Sequence, residues 1–340
     1  MSNFKDVVVG ELIHEKIAVV ENLTAKVGTN DKIVTNFRLR DASGTIAGVY
    51  FGRFEAAIAT GSVVVVNGAV GDFNGLQVKV KDAKLVEGDL SEFLESIMPV
   101  SQYPKEILVR VVQERIAKIE GPELRAFVST LIEATPAYYT APAGKRIHHA
   151  WVGGNAEHCA HVSILAATTA ALYSGIDADL VIAGALLHDI GKTEELVMNG
   201  VIDYSDVGRL MGHAYIGAKM IEDHARFQPL NPELIQNLVH IILSHHGSLE
   251  HGAIVTPATV EAEIVYLCDM LDSKTVAAQA MINTDAGSGR WTSYNRMLDR
   301  TMRKPATAAI SEGADAEAGE VCAASHGQTQ MALESEKKLF

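Results

Sequence analysis

The chain has 340 residues, nearly half of them apolar, with 42 acidic against 29 basic side chains and a net charge of -13. That length allows two cores, and the acidic balance excludes a protein that simply coats nucleic acid, leaving room only for a local basic groove. Three widely separated cysteines, Cys159, Cys268 and Cys322, form no CxxC pair, which argues against a disulfide framework or a thiolate zinc site and for a reducing compartment.

The start, "MSNFKDVVVGELIHEKI", lacks the long apolar segment of a signal peptide, and the later apolar stretches are short and carry histidine or aspartate. The expectation is a cytoplasmic protein with no membrane partner. Up to about Val86 the text reads as strands, with β-branched runs at 7–20, 33–40, 45–51, 63–70 and 76–86. Turn signals separate them: "GTND" at 28–31, "DASG" at 41–44, and Asn74-Gly75, which reads as a tight hairpin. The segment "RFEAAIA" between the third and fourth runs is helix-prone. Five strands with a helix in that place is the order of an OB barrel.

Charge through Leu90 is nearly balanced, ten Lys/Arg against eleven Asp/Glu, but its placement is informative. In "IVTNFRLR" the residues Ile33, Thr35, Phe37 and Leu39 share one face while Asn36, Arg38 and Arg40 share the other, so one face of that strand is cationic. Lys79 and Lys81 add charge on the last strand, and Tyr50, Phe51, Phe54 and Phe73 are candidate base-stacking rings. Arg38 and Arg40 are therefore candidates for a single-strand groove of the kind OB barrels use. The plainer reading, with rings filling the barrel and arginines on a solvated face, stands beside it.

From Leu90 to about Pro142 apolar residues recur every three or four positions, as in "SEFLESIM" and "KEILVRVVQERIAKI", with Ser91 and Pro104 as starts. Residues 145–304 carry further helices. The text after Pro305, rich in Ala, Gly, Ser and Glu, reads as a mobile tail. The expected fold class is a multidomain α and β protein: a five-stranded barrel at 1–90, a helical linker at 91–144, an all-α bundle at 145–304 and a tail at 305–340.

The chemistry lies in the bundle. His158 continues an apolar stripe through Val162, Leu165, Thr169 and Leu172, so it points into a core. The run "ALLHDIGK" belongs to a helix starting near Asp177 or Asp179 and stopping at Gly191, read as a left-handed C-cap, which leaves His188 and Asp189 in the last turn. The stripe Leu234, Leu238, Ile241 runs on to His245, with His246 next, and "EAEIVYLCDMLDSKTV" places Asp269 and Asp272 on one face among apolar neighbours. His213 lies on a fourth helix. Buried carboxylates without partners are costly, and crowded imidazoles repel when protonated; a divalent Mn, Fe, Co or Zn ion resolves both, and Asp189 could bridge two such ions. A lone buried histidine would be read as a satisfied core residue, but seven potential ligands in this order tip the reading to metal.

The order His158, His188-Asp189, His213, His245-His246, Asp269 resembles the HD superfamily of metal-dependent phosphohydrolases. Within it the chain is most similar to the YhaM-type 3′–5′ exoribonucleases, which join an OB barrel to an HD domain. The resemblance covers about residues 9–300 and rests on "DFNGLQVKVKDAKLV", "GKRIHHAWVGGNAEH", "GALLHDIGKTEEL", "LMGHAYIGAKM", "IILSHHGSLEHG" and "EAEIVYLCDMLDSK". It implies that His158, His188, Asp189 and Asp269 hold one metal, and that Asp189, His213, His245 and His246 surround a second, with Mn as first choice. It makes Lys192 the contact to the scissile phosphate and makes Lys145, Arg146, His148 and His149 a grip for the RNA 3′ end. Asp272 either orients a ligand or closes a salt bridge, and Cys159 and Cys268 are small core residues. His14, His161, His224, His240, His251 and His326 have no place in the motif and are read as structural or surface.

The function implied is removal of nucleotides from the 3′ end of single-stranded RNA, with single-stranded DNA as a further substrate and a homo-oligomer as a further expectation. Two rivals are a small-nucleotide or cyclic-dinucleotide phosphohydrolase, whose GYP element is replaced here by "HHGSLEHG", and a non-catalytic single-strand-binding protein, which would lack ligands.

Overall fold

The computed structural model of the chain describes residues 3–27, 32–296 and 298–305. The turn expected at 28–31 and the tail beyond residue 305 lie outside them. The chain divides into two compact units: Met1–Gln102 with Thr130–Glu157 and Asp189–Phe227, and Tyr103–Ser129 with His158–His188 and Gln228–Phe340.

In the first unit, strands β1 (Leu12–Val27), β2 (Ile33–Asp41), β3 (Gly44–Tyr50), β4 (Val63–Asp72) and β5 (Leu76–Leu85) close into a barrel in the order β1-β2-β3-β5-β4. The only parallel pairing among them is β3 with β5. The expected alternation holds in β2: Thr35, Phe37 and Leu39 are buried while Asn36 and Arg38 are exposed. β1 serves two neighbours, pairing β4 up to Val19 and β2 from Val19 onward. Its two register shifts coincide with Glu15 (φ 46) and Asn22 (φ 52), bulges that bend one long strand around the barrel. The β4–β5 hairpin turns at Asn74 (φ 59) and Gly75 (φ 115), as the Asn-Gly pair demands, and Gly75 N–H donates to Asp72 Oδ1 at 3.1 Å.

Two expectations for the barrel differ from the structure. β1 starts at Leu12, because Gly10 (φ 89) breaks the extended run; Phe4 and Val7 nevertheless enter the barrel core ahead of it. The segment "RFEAAIA" forms turns in place of a helix, with Ile58 N–H donating to Glu55 and Ser62 N–H to Ala59. Phe54 and Ile58 plug the core while the intervening alanines are exposed, and two anchors in so short a segment do not repay the cost of nucleating a helix.

The helices are α1 (Leu94–Ile97), α2 (Lys105–Ala117), α3 (Pro122–Glu133), α4 (Gly154–Ala170), α5 (Ala178–Leu187), α6 (Lys192–Glu195), α7 (Asp206–Met211), α8 (His213–His224), α9 (Pro232–Ser244) and α10 (Val260–Thr284). A hairpin, β6 (Leu196–Met198) with β7 (Ile202–Tyr204), interrupts the region expected to be all-α. Its strands are too short to leave an alternation signal. In the first unit this hairpin and α1 cover one side of the barrel through Ile97, Met98, Leu196 and Ile202 against Val19 and Val63.

In the second unit α5 is apolar on every side, and residues 180–187 are all buried, packed against α2, α9 and α10. Asp177 caps it by accepting from Leu180 N–H at 3.0 Å. Gly184 permits the close approach of α9, since a Cβ there would lie 2.6 Å from Ile241 Cδ1.

Candidate metal centre

In the second unit four helices deliver the expected ligands. His158 lies on α4, His188 follows α5, His245 and His246 follow α9, and Asp269 and Asp272 are neighbours on α10. His158 Nε2 is 3.1 Å from Asp269 Oδ1 and 3.2 Å from His188 Nε2. The rings of His188 and His245 lie 5.2 Å apart, and those of His245 and His246 4.2 Å. His158, His188 and His245 are buried to 1 % exposure or less.

The far nitrogens decide what these rings can do. His188 Nδ1 is 2.8 Å from the Ala185 carbonyl and His245 Nδ1 is 2.6 Å from the Ile242 carbonyl; a carbonyl only accepts, so each Nδ1 carries the hydrogen. His158 Nδ1 lies 2.7 Å from Asp272 Oδ2, and Asp272 also takes His161 Nδ1 at 3.1 Å. Asp272 therefore holds two histidines at once, a contact that serves either of the two roles its sequence position left open. With Nδ1 tethered, Nε2 is the nitrogen each ring has left to offer a metal, the arrangement metal sites use. Donors bound to one ion at about 2.1 Å stand roughly 3.0–3.4 Å from one another, and His158 Nε2 already stands at that spacing from both His188 Nε2 and Asp269 Oδ1. The donor set fits a divalent cation.

Electrostatics agree. Burial alone would lower the pKa of His158, but hydrogen bonds and charge from Asp269 and Asp272 raise it to about 10. Burial alone would raise that of Asp269, but His158, with help from the charges of His188 and His245, holds it well below the usual carboxylate range. Positive charge belongs at this point, and a proton on His158 supplies it where a metal would.

The first unit holds a second set. Asp189, 1 % exposed, is 2.9 Å from Lys192 Nζ through Oδ2 and 3.6 Å from His213 Nε2 through Oδ1. His213 Nδ1 and its backbone N–H both donate to Glu195 Oε1 at 2.9 Å. Burial would raise the Glu195 pKa, but the bonds and charge of His213 lower it, so Glu195 is a carboxylate that fixes the imidazole. Sequence reading missed Glu195; its only signal was a carboxylate opening an apolar stretch between the HD pair and His213. Lys192 Nζ also donates to the Ala143 carbonyl at 2.5 Å. Gly191 is not the left-handed cap expected, for its φ is -64. Glycine is required because a Cβ would lie 2.1 Å from the His213 carbonyl oxygen.

The expected RNA contacts are placed unevenly. Lys145 pairs with Asp203 at 2.6 Å, Arg146 is exposed and His148 is half-buried. His149 is fully enclosed, with φ 46 and its ring 5.1 Å from that of Trp151. On the barrel, Arg38 is exposed and bonds Thr45, whereas Arg40 is engaged by Glu21 at 2.6 Å and by the carbonyls of Ile97 and Gly200, tying β2 to α1 and the β6–β7 hairpin. Phe51 and Phe73 are exposed, Lys79 lying over the Phe51 ring; Phe54 is buried and stacked on Tyr50. Cys159 and Cys268 are buried thiols outside any disulfide.

The HD domain family matches residues 155–274, which include all seven expected ligands. The chain is 31 % identical over 277 residues to the 3′–5′ exoribonuclease YhaM of Shouchella clausii, covering 78 % of this chain and 85 % of that protein. It is 31 % identical over 277 residues to the YhaM of Halalkalibacterium halodurans (78 % and 84 % covered), and 29 % over 271 residues to that of Bacillus subtilis (78 % and 86 %). This chain belongs to the YhaM family. As a YhaM-family member with an HD domain, it has the divalent-metal chemistry its His and Asp clusters fit. No helix among the described residues is long and apolar enough to cross a membrane.

Proposed function

We propose that the chain is a metal-dependent phosphodiesterase that shortens single-stranded RNA from its 3′ end. The observation that carries this is the convergence of His158, His188 and Asp269, with each imidazole held by its far nitrogen, inside an HD domain of the YhaM family. Bound metal supplies an activated water and neutralises charge on the phosphate.

Two ions fit the reading best, because the peptide bond between His188 and Asp189 joins two tethered sets. His158, His188, Asp189 and Asp269 would hold one, and Asp189, His213, His245 and His246 the other, Mn being the first choice and Fe, Co or Zn able to take the same nitrogen and oxygen donors. Lys192, whose ammonium already faces Asp189, brings positive charge to the scissile phosphate. Lys145, Arg146 and His148 lie on the loop whose Ala143 carbonyl Lys192 grips, and we assign them to the RNA 3′ end; enclosed His149 shapes that loop. Arg38 and the Phe51–Lys79 pair on the barrel guide the strand by charge and stacking, without base-specific readout, so single-stranded DNA is also accepted. Buried thiols outside any disulfide suit the cytoplasm.

The test is incubation of the chain with Mn²⁺ and a 5′-labelled single-stranded RNA. Stepwise shortening toward the label is expected. Asp189→Ala should lose more activity than the ~10–100-fold typical of a supporting residue while still binding RNA. Internal cleavage, or normal shortening by Asp189→Ala, overturns the reading.

A further inference from the structure

In the first unit Tyr204, at the end of β7, is 40 % exposed and lies under two cations: Lys145 Nζ is 5.3 Å and the Arg209 guanidinium carbon 5.7 Å from its ring centroid. Both cations share one carboxylate. Asp203 Oδ1 takes Lys145 Nζ at 2.6 Å, Arg209 at 2.9 Å and the Tyr204 backbone N–H at 2.8 Å. Two positive charges against one negative leave an excess cation on a half-exposed aromatic face, and exposed ion pairs of this kind are weak enough to exchange for another anion. An aromatic ring flanked by cations is what a nucleotide needs, with the base stacking and the phosphate pairing.

The cluster is also tied to the metal-ligand set of its own unit by two routes. Lys145 is two residues from the Ala143 carbonyl that Lys192 grips, and Lys192 pairs with Asp189. Ser205, next to Tyr204, bonds the backbone of Glu195 and Glu194, and Glu195 holds His213. We propose that Tyr204, Lys145 and Arg209 form a subsite for a nucleotide upstream of the reacting 3′ end, with Asp203 as a built-in counter-ion that an RNA phosphate displaces. This rests on the exoribonuclease reading. The hairpin thus positions substrate and does no chemistry.

The sign of the Asp203 effect separates this from a purely structural salt bridge. With the full chain, Mn²⁺ and single-stranded RNA, Arg209→Ala and Tyr204→Ala should raise KM several-fold, the loss falling on KM more than on kcat, and Tyr204→Phe should restore it. Asp203→Asn frees both cations, so it should lower KM several-fold and steepen the dependence of RNA binding on salt. An Asp203→Asn variant that binds RNA more weakly, as Arg209→Ala does, overturns the subsite while leaving the exoribonuclease reading intact. A wild-type chain that fails to shorten RNA overturns both.

Discussion

Asp41 in the barrel and Asp269 in the helical region are both carboxylates removed from most solvent, yet their surroundings differ in kind. Asp41 is 2 % exposed and saturated by local donors: Lys16 Nζ at 2.8 Å, Ser43 Oγ at 2.5 Å, and the backbone N–H groups of Phe4, Ser43 and Gly44. Asp269 has Ser273 Oγ at 3.1 Å and otherwise faces His158, whose other nitrogen is already held by Asp272. Burial and charge alone do not mark a functional site. What marks it is donor atoms held in place from behind and aimed at one another.

The largest effect should come from breaking the saturated carboxylate. Asp41→Ala leaves Lys16 buried without its counter-ion and removes the acceptor for three backbone donors, so unfolding free energy should fall by about 3–5 kcal/mol. Urea denaturation of the two proteins measures this. Metal content of the folded variant should match wild type; a loss of metal equal to the loss of stability would erase the contrast between the two carboxylates.

A smaller change sharpens the contrast from the other side. Asp272→Asn keeps the volume and one acceptor for His158 Nδ1 but drops the charge, so Mn²⁺ affinity should weaken ~10–100-fold with little change in unfolding free energy. Titration calorimetry with Mn²⁺ on the chelator-treated full chain reads it. Unaltered affinity would reduce Asp272 to the salt bridge that its sequence position also allowed.

The barrel was legible because alternation is a local signal: Phe37 and Leu39 against Asn36 and Arg38 determine inside and outside without knowledge of any other strand. The helical stripes gave His158, His188, His245 and Asp269 in the same way. Of the tethering partners only Asp272 was legible, from its place on the same helix face as Asp269. Glu195 holds His213 across a span containing a hairpin of two three-residue strands, and Arg40 reaches the carbonyl of Gly200, far away in sequence. The reason for Gly191 was hidden too, since a glycine needed for close backbone approach and one needed for positive φ look alike in a sequence.

The smallest effect is the acid sensitivity that Asp41 confers. Burial would raise its pKa, but the bonds from Lys16, Ser43 and the backbone prevail and hold it below the usual 3.8. A carboxylate depressed in the folded state stabilises it above the unfolded value, and that contribution is lost as pH falls through the folded one. The stability of the metal-free chain should therefore be insensitive to Asp41 titration near neutrality and should begin to fall as pH drops below about 3.8. Asp41→Asn starts lower but lacks this component, so the gap between the two unfolding free energies should narrow with acid. A gap that stays constant through that range would mean that Asp41 titrates alike in the folded and unfolded chains, and that its five donors do not favour the ionised form.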